Sequence, residues 1–239
     1  MTVTLDLHVH SAASPDGRMS IDEISRLAKA AGLNGVAVCD HDAVLTNAPK
    51  DTEVLIIPGA EFSTEYGHLL GLFLTAPIGK MPFADTVAAI HAQGGIAVLA
   101  HPFERSRDAE RPETIVSLLD GIEIWNGRAE RKIRDANSLA RAFAEQHHLR
   151  MFGGSDAHLP QEIGNGRVTL EVEELTLSAV KAALMTRPVA VSGRRGAAFA
   201  VARSQYTKLK KSGAPARRYL KWALFAAKCA AEDLCRGEN

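Results

Sequence analysis

Residues able to ligate a metal recur in this sequence at one kind of place, directly after a short apolar run. His8 and His10 follow residues 3–7, Asp40-His41-Asp42 follows Val36-Ala37-Val38-Cys39, and Glu61 follows residues 54–57 and Pro58-Gly59. His101 follows residues 96–100, and Asp156-Ala157-His158 follows the apolar run Met151-Phe152 and then Gly153-Gly154. Each run reads as a strand, with further strands at 67–74, 122–125, 168–172 and 189–191. Helical periodicity fills the intervals. Ser20 and Glu23 form a capping box, Ile24, Leu27, Ala28 and Ala31 share one face, and Gly32 supplies a stop, so residues 21–31 are predicted helical. Further helices are predicted over 83–93, 113–119, about 129–147 and 178–185.

Buried strands alternating with crossover helices predict an α/β fold with a parallel sheet, open or closed. The polar residues favour closure. Six strands deliver them at their C-terminal ends, and a barrel collects those ends in one mouth, whereas an open sheet spreads them along an edge.

The chain of 239 residues is 46% hydrophobic and 23% charged, which excludes a disordered or collagen-like polymer. Its zero net charge hides an asymmetry. Residues 194–239 hold eleven Lys or Arg against three Asp or Glu, a balance of +8, so residues 1–193 carry −8. Cys39, Cys229 and Cys235 fit neither a disulfide framework nor a thiolate metal site. With no apolar leader and no bilayer-length apolar run, the expectation is a cytoplasmic protein without membrane contact.

His8 and His10, two apart on an extended backbone, point to one side and can share a cation. Asp6 lies on that side and could accept a proton from a ligand imidazole. Asp156 and His158 repeat the alternation after Gly153-Gly154, where a tight turn is expected. Of Asp40, His41 and Asp42, one is expected to ligate while the others orient it. Glu61 could bridge two cations about 3.5–4 Å apart. A phosphate-cradling glycine loop, a Gly-x-Ser-x-Gly elbow and a nucleophilic cysteine beside a histidine are all missing. His91, His147 and His148 read as helix residues, and Trp125 as packing.

Taken in order, Asp6-Leu7-His8-Val9-His10-Ser11, Ser14-Pro15-Asp16-Gly17, Asp40-His41-Asp42, Gly59-Ala60-Glu61, His101-Pro102 and Gly154-Ser155-Asp156-Ala157-His158 resemble the PHP family, the polymerase and histidinol phosphatase domain, over about residues 4–193. The resemblance implies a distorted seven-stranded β/α barrel over residues 1–193; residues 194–239 lie beyond it and are read from their own pattern as a basic helical extension packed on the barrel. It implies one metal on His8, His10, Glu61 and Asp156, a second on Asp16, His41 and His158, and Glu61 as the bridge. A third centre would use Glu61, His101 and a ligand from the next strand. Asn126 stands there instead, neutral and weakly coordinating, so two divalent ions are expected and the third stays open. Manganese, iron and zinc all suit this donor set.

The implied activity is metal-dependent phosphoesterase action on a small phosphomonoester such as a nucleotide, by metal-activated water. Two alternatives stand beside it, a metal-dependent nuclease on short single-stranded oligonucleotides and a non-catalytic metal-stabilised regulatory module. Glu61, Asp156 and His68 are the expected catalytic residues. His68 is also a candidate phosphate binder, together with Arg18, Arg105 and Arg128. In the extension, Gly213 and Pro215 are expected to divide two helices, with Lys208, Lys210 and Lys211 facing outward to attract phosphorylated ligands. A homo-oligomer stays open.

Overall fold

The computed structural model describes residues 1–107 and 113–237. In chain order the elements are β1 (Thr2–Val9), α1 (Ile21–Ala30), β2 (Gly35–Val38), β3 (Leu55–Thr64), β4 (Gly67–Leu72), α2 (Phe83–Ala92) and β5 (Ile96–Leu99). They continue with α3 (Glu113–Val116), β6 (Gly121–Asn126), α4 (Ala136–Gln146), β7 (Arg150–Gly154), β8 (Gly166–Glu171), α5 (Leu177–Thr186), β9 (Ala190–Gly193), α6 (Ala198–Lys211) and α7 (Ala216–Gly237). The strands form one sheet in the order β7-β6-β5-β4-β3-β2-β1-β8-β9.

The sheet curls into a nearly closed barrel surrounded by helices. Ala157, just past β7, bridges Val9 of β1 in parallel. Its amide donates to the His8 carbonyl at 3.3 Å, and the His10 amide donates to the Ala157 carbonyl at 2.8 Å. These bonds bring the last metal-type motif against the first. Among the described residues the sheet has nine strands, not the expected seven, because β8 and β9 add to the free side of β1. Nor is it wholly parallel. Glu65 and Tyr66 form a two-residue turn with Gly67 at φ 115°, so β4 folds back antiparallel between β3 and β5.

Leu5, Ala37, Ile57, Leu72, Val98 and Phe152, one from each of six strands, share a core to which α5 adds Val180 and Leu184. A second apolar layer packs Ile24 and Ala28 of α1 on Val36 and Val38. The helix expected over 129–147 is interrupted. A 3-10 turn spans Ala129–Arg131, Glu130 leaves helical geometry at ψ 18°, and α4 begins only at Ala136.

Gly213, at φ 60°, separates α6 from α7 as expected. The two pack through Ala198, Ala202, Ala226 and Cys229, and the Trp222 indole donates to the Ala202 carbonyl at 2.7 Å. Asp233 of α7 accepts the amides of Ala198 and Phe199, each at 2.8 Å, and so caps α6. Among the described residues no helix is long and apolar enough to cross a membrane.

Candidate metal centre

Local hydrogen bonds hold the mouth residues from behind. The His8 ring donates from Nδ1 to Glu123 at 3.1 Å, which leaves Nε2 facing His10 Nε2 at 3.1 Å. His10 in turn donates from Nδ1 to the Ser14 hydroxyl at 3.0 Å. That hydroxyl donates to Asp40 at 2.5 Å and accepts the His41 amide at 3.2 Å. Asp40 also accepts the Ser11 amide and hydroxyl, so it pins the loop that carries Asp16. Partners on the outer nitrogens thus turn the inner nitrogens toward one another.

Asp156 and His158 arrive from the end of β7. Asp156, at φ 55°, sets Oδ1 3.4 Å from His10 Nε2 and 3.9 Å from His8 Nε2. His158 donates from Nδ1 to the Asp156 carbonyl at 2.9 Å and aims Nε2 at Asp16 Oδ1, 3.3 Å away. His41 Nε2 lies 3.4 Å from the same oxygen, and His41 Nδ1 lies 2.8 Å from Glu61 Oε2. Glu61 Oε1 is shared by His68 Nδ1 at 2.8 Å and His101 Nε2 at 2.9 Å. His101 reaches it with φ 25°, a strained conformation for a histidine.

Three sets of donor atoms lie close enough to hold a cation: His8, His10 and Asp156; His10, His41 and His158; and Glu61, His68 and His101. Two buried oxygens test the fit. Asp16 Oδ1 and Glu61 Oε2 lie among imidazoles yet accept no hydrogen bond of proper geometry. A buried carboxylate oxygen left this way is costly unless a cation takes the place of the hydrogen bond. Nitrogen and oxygen donors without thiolate suit a divalent transition metal.

Burial opposes charge throughout the cluster, and the neighbours overcome it. Glu61 is driven upward by burial, but the charge of His8, the hydrogen bonds from His101 and His68, and the nearby His41 imidazole hold it well below the usual carboxylate range. Asp156 is held low against burial by His8, His10, His158 and Arg128. Asp16 is likewise held low against burial by His158 and His41. His41 is pushed up to about 10 despite burial by Asp16 and Glu61, and His101 to about 9 by Glu61. His8 is raised despite burial by Glu123, Asp156 and Glu61, while burial and the charges of His158 and His41 keep His10 low.

All eight residues expected to ligate metal meet at this mouth. His68 joins His101 on Glu61, the place where a next-strand ligand was expected. Asn126 instead donates to Glu123 at 2.9 Å and to Asp156 at 3.4 Å. Among the described residues Asp6 forms no hydrogen bond or ion pair with an imidazole. It accepts the amides of Ser155 and Gly164, each at 2.8 Å, and burial raises its pKa to about 6. Gly153 and Gly154 are not a turn but the end of β7, where a Cβ on Gly154 would stand 2.3 Å from His8 Cβ.

Arg18 is exposed and does not line the cavity above the cluster, whereas Arg105 and Arg128 do. Arg128 already has its fork on Glu162, at 2.7 and 2.5 Å, and reaches Ser204 of α6 at 3.2 Å. Glu162 also accepts the amides of His158 and Leu159. Lys211 faces inward, against expectation, and donates to the carbonyls of Ala12, Ser14 and Gly17 at 2.7, 2.8 and 2.9 Å. Burial pushes the Cys39 thiol up, which removes it as a nucleophile. Trp125 is packed, its indole donating to Asn165. Sequence reasoning passed over Glu123, although a carboxylate inside the apolar run 121–125 was the available signal. It also passed over Arg131, which carried no signal of its own.

A barrel mouth that gathers these donor sets on ionised carboxylates defines a metal-dependent hydrolase. Comparison with known proteins agrees. The PHP-associated family model matches residues 134–187. One uncharacterised protein of Methanocaldococcus jannaschii is 30% identical over 175 residues, 69% of each chain. A 5'-3' exoribonuclease of Haemophilus influenzae is 40% identical over 81 residues, 30% of this chain and 29% of that protein. Among solved structures, a two-domain Bacteroides vulgatus protein containing a predicted PHP-like metal-dependent phosphoesterase superposes with TM-score 0.66 at 19% identity, over 87% of this chain and 70% of that one. Endonuclease Q of Pyrococcus furiosus, a lesion-specific endonuclease, superposes with TM-score 0.54 at 18% identity, over 80% of this chain and 58% of its own. This chain belongs to the PHP-like metal-dependent phosphoesterases.

Proposed function

We propose that this protein is a metal-dependent nuclease that hydrolyses phosphodiester bonds in short single-stranded oligonucleotides. The observation that carries the reading is the cavity over the metal-type cluster. It measures about 390 Å³, has Asp16, His41, Glu61, Asp156 and His158 on its wall, and is rimmed by Arg105, Arg131 and Lys208. A polyanion's phosphate presented to such a rim lies over the donor sets. The similarity to an exoribonuclease and the shared fold of a lesion-specific endonuclease support the same substrate class.

In this reading His8, His10, Glu61 and Asp156 hold one cation, while Asp16, His41 and His158 hold a second. Bound there, divalent ions lower the pKa of water and neutralise charge on the phosphoryl oxygens. Glu61 and Asp156, held ionised by their neighbours, keep the donor sets anionic at neutral pH. A third cation would take Glu61, His68 and His101. Without one, His68 stands on the cavity wall as proton donor to the leaving oxygen. Arg105 and Arg131 steer the non-bridging oxygens, and Arg128 fixes the loop of Glu162 and His158. Residues 1–193 are the catalytic barrel and 194–239 a helical cover.

Hydrolysis of a small phosphomonoester, the first expectation from the sequence, would use the same residues. A panel of nucleoside monophosphates, nucleoside 3',5'-bisphosphates and short single-stranded oligonucleotides separates the two. The expected ranking of kcat/KM puts the oligonucleotide first. A monophosphate preferred over every oligonucleotide would overturn the nuclease reading and leave the phosphoesterase class intact.

A further inference from the structure

The catalytic cavity does not end at the metal-type cluster. A second cavity of about 550 Å³ adjoins it, and the two share Asp16, Gln205 and Lys208 on their walls. The second lies between α6 and α7, in the segment beyond the family resemblance. It presents Lys208, Arg218 and Lys221, together with Trp222 and Phe225. Among the described residues lining it, Asp16 is the one acid, and it stands at the catalytic end.

This wall is built rather than incidental. Trp222 is fixed by its bond to the Ala202 carbonyl, and Phe225 lies under the Arg131 guanidinium at 5.4 Å from the ring centroid. Arg131 itself lines the catalytic cavity, so one stacked pair joins the two spaces. The floor is clamped to the barrel through Lys211 and through Arg128 with Ser204. Whereas the Lys211 ammonium is spent on three carbonyls, the charged ends of Lys208, Arg218 and Lys221 take part in no hydrogen bond or ion pair among the described residues. Three unspent cations beside two anchored aromatic rings form the combination that tracks a single strand, phosphates on the cations and bases against the rings. The volume suits a ligand of nucleotide scale.

We infer that the groove between α6 and α7 is a subsite for single-stranded nucleic acid, holding the nucleotides that flank the phosphodiester at the metal centre. The inference rests on the nuclease reading for the direction of the strand, and the segment 194–239 thereby selects length of substrate rather than base sequence. A phosphomonoester or a dinucleotide ends before the groove. A longer strand continues into it.

The test uses the metal-loaded full chain and a fluorescein-labelled phosphorothioate octanucleotide, which resists cleavage, with binding read by fluorescence anisotropy. The variant is Arg218→Gln combined with Lys221→Gln, two exposed side chains outside the catalytic cavity. The wild type is expected to bind the octanucleotide more tightly than a dinucleotide. The double variant should weaken octanucleotide binding about tenfold at low salt, and the salt slope should fall by roughly 1.4 for two lost phosphate contacts. Dinucleotide binding and turnover of bis(p-nitrophenyl) phosphate should not change. Equal affinity for both lengths in the wild type, or an unchanged octanucleotide affinity in the variant, overturns the subsite. Tight, groove-dependent binding with no cleavage of the unmodified strand would leave the subsite standing and overturn the nuclease reading alone.

Discussion

His8 and His10 face each other through Nε2 atoms 3.1 Å apart, with the far nitrogen of each ring already committed to Glu123 and to Ser14. Two such nitrogens share one positive charge and no more. In the metal-free protein that charge is a proton, held on His8 by the carboxylates around it, while His10 is kept neutral. A metal ion held by these two nitrogens would take the place of that proton. Glu123 sets this up, since it orients His8 and also accepts the His101 amide at 2.9 Å.

Glu123→Gln should therefore weaken metal binding while the barrel persists. An amide at that position keeps one acceptor but turns an N–H toward a donor. Loss of such an outer partner typically costs about 10- to 100-fold in metal affinity. Metal content after dialysis against a calibrated chelator measures it. Full occupancy in the variant at wild-type free metal would show that His8 needs no partner.

The same electrostatics give a pH dependence with a definite sign. His41 and His101, with folded pKa values of about 10 and about 9, lie above the ordinary 6.5. Their contribution to the stability of the metal-free protein is complete below pH 6.5 and is lost as pH rises through about 9 to 10. Cations must displace these protons, whereas Asp16, Glu61 and Asp156 are already ionised. Metal affinity should accordingly rise with pH from 6.5 toward 9, with protons released on binding. Calorimetry in buffers of different ionisation enthalpy counts them. Chelation at pH 7.5 should abolish activity and lower the melting temperature, because free metal about 100-fold above Kd adds about 2.7 kcal/mol. Proton-free, pH-independent binding would contradict the assignment.

The strand ends were legible because a ligand after an apolar run is a local pattern. His8, Glu61 and His158 all follow that rule. What decided the strand count was not local. β8 and β9 read correctly as strands, but their attachment to the free side of β1 depends on an edge that only the folded barrel exposes. The β3–β4 hairpin escaped because Glu65-Tyr66-Gly67 lacks the Asn-Gly or Asp-Gly signature, although Gly67 supplies the positive φ. His68 was singled out for its place in β4, yet its meeting with His101 on Glu61 needs the antiparallel return of that strand. Arg128 showed the limit of reading charge from sequence, since nothing local marks Glu162, 34 residues on, as its partner.

Gly154 offers a test of how tightly β7 presses on β1. An alanine there would meet His8 Cβ at 2.3 Å and His8 N at 2.7 Å, and neither can yield without moving the strand. At Gly153 the nearest obstacle is a Val191 methyl at 2.6 Å, on a strand that is mostly exposed. Gly154→Ala should destabilise by about 1–3 kcal/mol and also lower metal occupancy. Gly153→Ala should do less and leave the metal in place. Chemical denaturation and metal analysis on the pair read both effects, and equal behaviour would mean that His8 is not positioned by this contact.

Lys211 ties the helical segment to the metal-bearing loop. Its ammonium donates to the carbonyls of Ala12, Ser14 and Gly17, which surround Asp16 in the chain, and Asp16 stands 3.4 and 3.3 Å from His41 and His158. Three carbonyl dipoles converging on one cation hold the loop closed over the second donor set. Lys211→Met keeps most of the apolar stem and removes the cation. The exposed ammonium is screened by water, so the loss of global stability should be small, about 1 kcal/mol. The effect on the second metal should be larger than that figure suggests, because a freed loop lets Asp16 drift from the imidazoles while Asp40 still anchors its first half. Metal titration should then show one site filling normally and the other weakened several-fold. Lys210→Met, one residue away and without a side-chain hydrogen bond among the described residues, is the control and should match the wild type. Two sites that weaken together would place the effect of Lys211 on the whole mouth, and two that stay intact would show that the loop closes without it.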